Sequence, residues 1–185
     1  MSTVFESRTL TAEEYLLMPD DGRLTELVRG EIVEMNRPFT SHGYFCVRIT
    51  FVLCQFVEEH GLGRVVSNDA GVVTQRDPDT VRGPDVAFYS YQRVPRGPLP
   101  KGYWPVTPEL AIEVRSPDDR WKDVLHKVAE YLDANVLTVA VIDPVPQRVH
   151  LFSADRESTV LNADDLLTFP DILPGFEVTV SRLFE

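Results

Sequence analysis

Two acidic residues each stand beside an alanine in separate strand-like runs of the sequence. Asp85 lies in "GPDVAFYS" and Glu113 lies in "PELAIEVRSP". Successive side chains of an extended strand point to opposite faces. Asp85 therefore shares a face with Ala87, and Glu113 shares one with Ala111 and Arg115, while the apolar residues face the other way. We expect two neighbouring strands that each present one carboxylate beside a small side chain, which leaves room for a ligand.

These carboxylates have an ordinary explanation and a chemical one. Acids that face outward from alternating strands are the usual pattern of a half-exposed antiparallel sheet. However, "LTVAVIDP" at residues 137–144 is almost continuously apolar, which indicates a sheet centre covered on both faces, where a carboxylate needs a cation or hydrogen-bond donors. Two converging carboxylates suit Mg²⁺, which can polarise a phosphoryl oxygen and lower the pKa of bound water. The corresponding chemistry is phosphodiester hydrolysis.

A nearby cation would stabilise the charge that develops on a phosphate group. Arg115 lies two residues after Glu113 on the same strand face, and Lys127 lies at the border of the apolar stripe of the following helix. Arginine stays protonated, so Arg115 could bind phosphate but could not abstract a proton. Either side chain could serve, and an ordinary solvated helix lysine is the competing interpretation of Lys127.

Several elements must position these residues. Thr11 and Glu14 have the spacing of a helix capping box, and Arg29-Gly30 separates two strand-like runs that predict a hairpin. A long helix is predicted from Ser41 to about His60. Short strands are predicted at "GRVVSN", "GVVTQ" and "PDVAFYS", turn chemistry at "DPDTVRGPD", and edge strands at "RVHLFS", "TVLN" and "FEVTV".

A second long helix is predicted from about Lys122 to Ala134, and a strand precedes and follows it. This order predicts parallel pairing of the two strands across a helical crossover. The helix is expected to bury Val124, Leu125, Val128, Ala129 and Leu132 and to expose Lys122, Asp123, His126, Glu130 and Asp133, with Lys127 and Tyr131 at the border.

Length and composition limit the class of protein. The 185 residues, 43% hydrophobic and 25% charged, predict one folded domain over residues 1–185. The net charge of −11 argues against a broad basic surface for polyanions. Cys46 and Cys54 would lie about 12 Å apart along one helix, too far apart for a disulfide. The N-terminal residues show no leader pattern and no run could span a bilayer, so we expect a cytoplasmic location.

The motifs together resemble a known family. "GPDVAFYS" and "PELAIEVRSP" resemble the Pro-Asp and Glu-X-Lys motifs of the PD-(D/E)XK nuclease superfamily. The wider pattern is similar to its Uma-type restriction endonuclease branch, a domain family of largely unknown function. That pattern runs through nearly the whole chain as "ELVRGEIVEM", "SHG", "VRGPDVAF", "PELAIEVRSP", the Lys and Tyr of "HKVAEYL", "VAVIDP" and "LPGFEVTVSRLF".

The resemblance implies an α/β fold of the restriction-endonuclease type, a central mixed sheet flanked by helices. It implies that Asp85 and Glu113 bind the metal. Position 115 is arginine where the motif has lysine. The resemblance therefore assigns the role of the motif lysine to Lys127, which is the residue that we favour. Glu31 would be an additional acid and His42, in the "SH" position, an additional site residue. A turn glutamate and a capping or packing histidine are the competing interpretations of these two.

Two functions of different classes are consistent with the sequence. The first is a Mg²⁺-dependent nuclease, with Mn²⁺ as an alternative ion, that cleaves nucleic acid and most readily DNA. The second is a noncatalytic binding or assembly module that retains the nuclease fold, which the acidic composition and Arg115 favour. A homodimer formed through the late strands is also expected.

Overall fold

The computed structural model of the protein describes residues 9–185. Residues 1–8, on which the expectation about a leader sequence depends, lie outside the described residues. Three α-helices are described, α1 (Ala12–Leu16), α2 (Thr40–His60) and α3 (Trp121–Asp133), with a 3-10 helix at Val180–Leu183. Over residues 9–185, no helix has the length and apolar character needed to cross a membrane.

Twelve strands are described within residues 9–185. They are β1 (Thr25–Val28), β2 (Glu31–Glu34), β3 (Gly63–Ser67), β4 (Val72–Gln75), β5 (Thr80–Arg82), β6 (Val86–Ser90), β7 (Leu110–Val114), β8 (Thr138–Asp143), β9 (Arg148–Ser153), β10 (Arg156–Leu161), β11 (Leu166–Phe169) and β12 (Leu173–Thr179).

The strands form one large sheet and two small ones. The six-stranded sheet has the order β10-β9-β8-β7-β6-β3, the four-stranded sheet the order β2-β1-β5-β4, and β11 pairs with β12. In the large sheet β7 and β8 are parallel and the other neighbours are antiparallel. This confirms the mixed sheet and the parallel pairing across α3.

The helices cover the two faces of the large sheet. On one face α2 packs on the apolar side of β7, and the core includes Ile49, Leu53, Val57, Leu110, Ile112 and Val114. On the other face α3 packs over Ala111 and over Val139 and Val141 of β8. Alternate residues of β7 thus enter different cores, as their period of two predicts. Glu113 consequently shares the face that α3 covers.

The local signals at the N-terminal end are confirmed. Thr11 and Glu14 form the predicted capping box at the start of α1. Arg29 and Gly30 form the hairpin turn with φ of 52° and 80°, and β1 pairs with β2. Two consecutive positive φ angles are what a tight two-residue hairpin requires. A side chain at Gly30 would also collide with the side chain of Thr9.

Two strand predictions are wrong in part. The turn expected in "DPDTVRGPD" occupies residues 76–79. It is followed by β5, which pairs with both β1 and β4. A three-residue strand is too short to show an alternating pattern. β9, expected at an edge, lies between β8 and β10. β10, which includes the first three residues of "TVLN", does lie at the edge.

The buried face of α3 differs from the predicted stripe. Leu125 is 45% exposed, whereas Tyr131 is fully buried and Lys127 is largely buried. The helix turns this polar side inward because partners for the Lys127 ammonium and the Tyr131 hydroxyl lie beneath it. Long side chains with polar tips can be buried when those tips are paired.

Candidate active site

A cavity of about 1220 Å³ lies between the start of α2, the four-stranded sheet and the ends of β6 and β7. It is lined by Asp85, Glu113 and Lys127, the three residues predicted to do the chemistry, and by His42. Its walls are acidic. Among residues 9–185, they contain six carboxylates, Glu26, Asp69, Asp85, Glu113, Asp118 and Asp119, against three arginine or lysine side chains, Arg37, Arg82 and Lys127.

The strand register brings Asp85 and Glu113 to the same end of neighbouring strands. β6 runs antiparallel to β7 with Val86 opposite Ile112, so the residue before Val86 lies beside the residue after Ile112. Asp85 Oδ2 accepts a hydrogen bond of 2.6 Å from the Val114 N–H. The side chains of Asp85 and Glu113 are only 12% and 14% exposed, so both carboxylates lie mostly out of water.

Glu113 is a buried acid with incomplete compensation of its charge. The Tyr131 hydroxyl donates a hydrogen bond of 2.8 Å to Glu113 Oε1, and Lys127 Nζ lies 3.9 Å from Oε2. Burial, together with the charge of Asp85, raises the pKa of Glu113 to about 7 although Lys127 acts in the opposite direction. A divalent cation between the two carboxylates would supply the missing charge.

Lys127 connects Glu113 to a third buried acid. Its Nζ donates a hydrogen bond of 3.0 Å to Glu26 Oε1. Burial lowers the pKa of Lys127, but the charges of Glu113 and Glu26 outweigh it, and the net pKa lies above the ordinary value. Lys127 is therefore held as an ammonium ion, which suits it to stabilise phosphate charge and not to remove a proton.

Glu26 belongs to a buried ion network that the sequence did not indicate. Arg82 Nη1 donates to Glu26 Oε2 at 2.7 Å, and Arg82 Nε donates to Glu130 Oε2 at 2.6 Å. Burial raises the pKa of Glu26, but the charges of Lys127 and Arg82 together lower it by more, so the net shift is downward. Glu26 and Arg82 lie in two of the segments that carry the family resemblance, "ELVRGEIVEM" and "VRGPDVAF", but a charged residue in a short strand is too common to have singled out either one.

His42 links the start of α2 to Asp85, the residue before β6. Its Nε2 lies 3.4 Å from Asp85 Oδ2, and its Nδ1 lies 3.4 Å from Cys46 Sγ, one turn along α2. The hydrogen bond with Asp85 raises the pKa of His42 although burial acts against it. Burial, with a smaller effect of Asp85, raises the pKa of Cys46 well above the usual thiol value.

Asp69 is a further cavity residue that the sequence analysis missed. It follows Asn68, and both have positive φ, 64° and 54° for Asn68 and Asp69. Burial and the nearby charge of Asp85 raise the pKa of Asp69. A turn dipeptide of Asn-Asp is an ordinary connection between strands, so no sequence signal set this acid apart.

Arg115 and Glu31 lie elsewhere. Arg115 Nη1 is 3.2 Å from Asp143 Oδ2, and its guanidinium lies 5.2 Å from the centre of the Trp121 ring. Asp143 ends β8, the parallel neighbour of β7, so the arginine pairs across the strand ends. Glu31 is exposed in β2 opposite Val28. Neither is among the described residues that line the cavity.

The donor atoms of the cavity fit a hard divalent cation. Asp85 and Glu113 supply carboxylate oxygens, which Mg²⁺ and Mn²⁺ prefer, and the cavity leaves room for water and a substrate oxygen. Burial is the main cause of the raised pKa of Glu113, and the nearby negative charge of Asp85 adds to it. A bound cation would offset this negative charge, so these residues fit the metal.

Comparisons with known proteins identify the fold. A solved structure described as a putative nuclease belonging to DUF820 from Anabaena variabilis resembles this chain with a TM-score of 0.82 at 22% identity, covering 95% of this chain and 97% of that one. The chain therefore shares the fold of that structure, and its central mixed sheet flanked by helices is the architecture predicted from the sequence.

The family follows from a second comparison. Residues 12–181 match the model of the family described as "Uma2: Putative restriction endonuclease". The chain belongs to this family, which confirms the resemblance seen in the motifs. A search of curated proteins gave no match.

Proposed function

We propose that this protein is a Mg²⁺-dependent nuclease that hydrolyses phosphodiester bonds of nucleic acid, with DNA as the first substrate to test. The proposal rests on one observation. Asp85, Glu113 and Lys127 line the same cavity in a chain that belongs to the Uma2 family. Mn²⁺ is expected to replace Mg²⁺, since both ions prefer oxygen ligands.

The proposed roles follow from the contacts of each side chain. Asp85 and Glu113 would hold the ion, which when bound polarises a phosphoryl oxygen and activates water. Lys127 would donate to a phosphate oxygen where negative charge develops. Tyr131 would keep Glu113 oriented through its 2.8 Å hydrogen bond. Glu26 would hold the Lys127 ammonium near Glu113.

The charge of the cavity supports a requirement for metal. The described residues that line it include six carboxylates and three arginine or lysine side chains, and the whole chain carries a net charge of −11. A phosphate diester approaching this cavity would meet net repulsion without a bound cation. A bound cation would therefore be needed both to let the phosphate diester enter the cavity and to activate water.

A cleavage assay with matched variants tests the proposal. Single- and double-stranded DNA and RNA are incubated with the protein and Mg²⁺, Mn²⁺ or a chelator. Cleavage by the wild type is expected with either ion and not with the chelator, and Asp85→Asn and Glu113→Gln should abolish it. Glu31→Gln is the control, because Glu31 is an exposed acid outside the cavity.

The assay also tests the second class of function. If the wild type binds Mn²⁺ through Asp85 and Glu113 but cleaves none of the four substrates, the noncatalytic module becomes the better account. If Glu31→Gln loses cleavage as completely as Glu113→Gln, the assignment of the site is wrong.

A further inference from the structure

We infer that His42, Cys46 and Asp85 form a second, thiophilic metal site, which takes Zn²⁺. One donor atom from each of these residues lies within 4.8 Å of the other two. His42 and Cys46 are four residues apart in α2, a spacing that places both side chains on one helix face. Asp85 approaches them from the start of β6.

The three donor groups are close enough for side-chain rotation to bring them onto one ion. Bonds of about 2.0–2.3 Å from Zn²⁺ place tetrahedral ligand atoms about 3.3–3.8 Å apart, and one donor atom of each residue already lies within 4.8 Å of the other two. In the metal-free protein His42 contacts its neighbours through different ring nitrogens, Nε2 at 3.4 Å from Asp85 Oδ2 and Nδ1 at 3.4 Å from Cys46 Sγ. Because an ion binds only one of these nitrogens, the His42 ring must rotate when the ion binds. Water would take the fourth position.

The donor set distinguishes this site from the proposed magnesium site. Nitrogen and sulfur donors favour Zn²⁺ and Co²⁺, whereas the Asp85 and Glu113 oxygens favour Mg²⁺ and Mn²⁺. The ordinary alternative is that His42 merely hydrogen-bonds to its two neighbours. In that case the thiol would contribute no metal ligand, and Cys46 would behave like the other free cysteine, Cys54.

Binding at this site requires the Cys46 thiol to lose its proton. One sulfur–metal bond forms for each S–H bond broken, and the proton passes to the buffer. The cavity offers the ion a route to the sulfur, because His42, Cys46 and Asp85 all line it.

The two sites share Asp85, so the ions should exclude each other. This part of the inference rests on the proposed function. Zn²⁺ bound by His42, Cys46 and Asp85 would withdraw a carboxylate from the Asp85 and Glu113 pair and would inhibit the metal-dependent activity. The chain would then be regulated by the balance of two classes of divalent cation.

Co²⁺ is the probe for the site, because it substitutes for Zn²⁺ and its bond to a thiolate gives a charge-transfer absorption band. Wild type, Cys46→Ser and Cys54→Ser are titrated with Co²⁺, and Zn²⁺ is then added in competition. Cys54→Ser is the matched control, since Cys54 is a free cysteine two helical turns along α2. Circular dichroism confirms that each variant is folded.

The band is expected in the wild type and in Cys54→Ser, is expected to be displaced by Zn²⁺, and should be absent from Cys46→Ser. Loss of the sulfur ligand should weaken Zn²⁺ affinity by more than about 100-fold, the upper end of the effect of removing an outer-shell partner. No band in the folded wild type, or a band that survives in Cys46→Ser, overturns the inference. His42→Gln should also lose the band, which checks the site without changing the cysteine.

Mn²⁺ binding, measured by electron paramagnetic resonance, separates this inference from the proposed function. Binding of Mn²⁺ by the wild type and Cys46→Ser, with no thiolate band from Co²⁺, leaves the nuclease proposal standing and removes the zinc site. A thiolate band without any Mn²⁺ binding supports the zinc site and removes the nuclease proposal. Displacement of bound Mn²⁺ by Zn²⁺ in the wild type, and at least tenfold less effectively in Cys46→Ser, supports the exclusion of one ion by the other.

Discussion

Lys127 places an ammonium group between two buried carboxylates, with Nζ 3.0 Å from Glu26 Oε1 and 3.9 Å from Glu113 Oε2. Its raised pKa keeps it charged. We therefore propose that Lys127 binds a phosphate oxygen and does not remove a proton from the attacking water. Arg115 is engaged by Asp143 and so does not compete for that role.

Lys127→Gln is expected to lower cleavage by roughly 100-fold or more, the effect of removing one donor to a developing negative charge. Mn²⁺ affinity should change much less, because the lysine is not a ligand. Lys122→Gln, which alters an exposed lysine of the same helix, is the control and should leave both unchanged. Equal loss of metal binding and cleavage in Lys127→Gln would show that the lysine acts on the ion.

The raised pKa of Glu113 predicts how metal binding depends on pH. With a pKa of about 7, the acid is mostly protonated at pH 6 and mostly ionised at pH 8. A cation must displace the proton at the lower pH, so Mn²⁺ affinity should fall about tenfold from pH 8 to pH 6, as one such proton requires. Titration calorimetry at both values measures it.

His42 is the group that could confuse this measurement, because its pKa is also raised and it contacts Asp85. The His42→Gln variant removes that titration. The pH dependence should persist in His42→Gln if Glu113 is responsible, and its disappearance would assign the effect to the histidine.

At the scale of elements, the Arg82 network ties β1, β5 and α3 together. Glu26 is in β1, Arg82 in β5 and Glu130 in α3, and the Arg82 side chain is only 8% exposed. This network connects the four-stranded sheet to the helix that covers the large sheet. The position of Lys127, on the same helix, depends on that connection.

Arg82→Leu should destabilise the fold by about 3–5 kcal/mol, because it leaves buried carboxylates without their main cation. Urea denaturation of the metal-free protein measures the change. Arg156→Leu is the control. It removes an arginine that pairs with Asp171 at 58% exposure, and an exposed pair contributes little to stability. Similar losses in both variants would contradict the structural role of the network.

At the scale of the whole molecule, the late segment supplies core residues. Leu173, Phe176, Val180 and Leu183 are buried in the main core, so much of the apolar character of "LPGFEVTVSRLF" is used within the chain. The homodimer remains a proposal. The apolar residues of this segment no longer support it, because they are buried or partly buried within the chain. Sedimentation at increasing concentration tests it, and a monomer throughout would remove it.

We propose that residues 1–185 fold as one domain. Thermal unfolding of the metal-free protein should then show a single cooperative transition, with far-ultraviolet and near-ultraviolet circular dichroism changing at the same temperature. Two transitions, or two probes that disagree, would indicate separate cooperative units.

The features that could be predicted from the sequence depend on neighbours along the chain. The alternation in "PELAIEVRSP" assigned Glu113 and Ile112 to opposite faces, and the covered run 137–144 placed β8 in the sheet centre, as the structure confirms. The same alternation, with the family motifs, selected Asp85, Glu113 and Lys127, which line one cavity.

The features that only the tertiary structure decided depend on contacts between distant parts of the chain. Lys127 meets Glu26 across 101 residues, and Arg82 meets Glu26 across 56. Which face of α3 is buried was settled by those partners and not by its apolar residues alone. Local periodicity encodes which way a side chain faces, but it does not encode which strand or helix lies opposite, because that depends on the order of strands in the folded sheets.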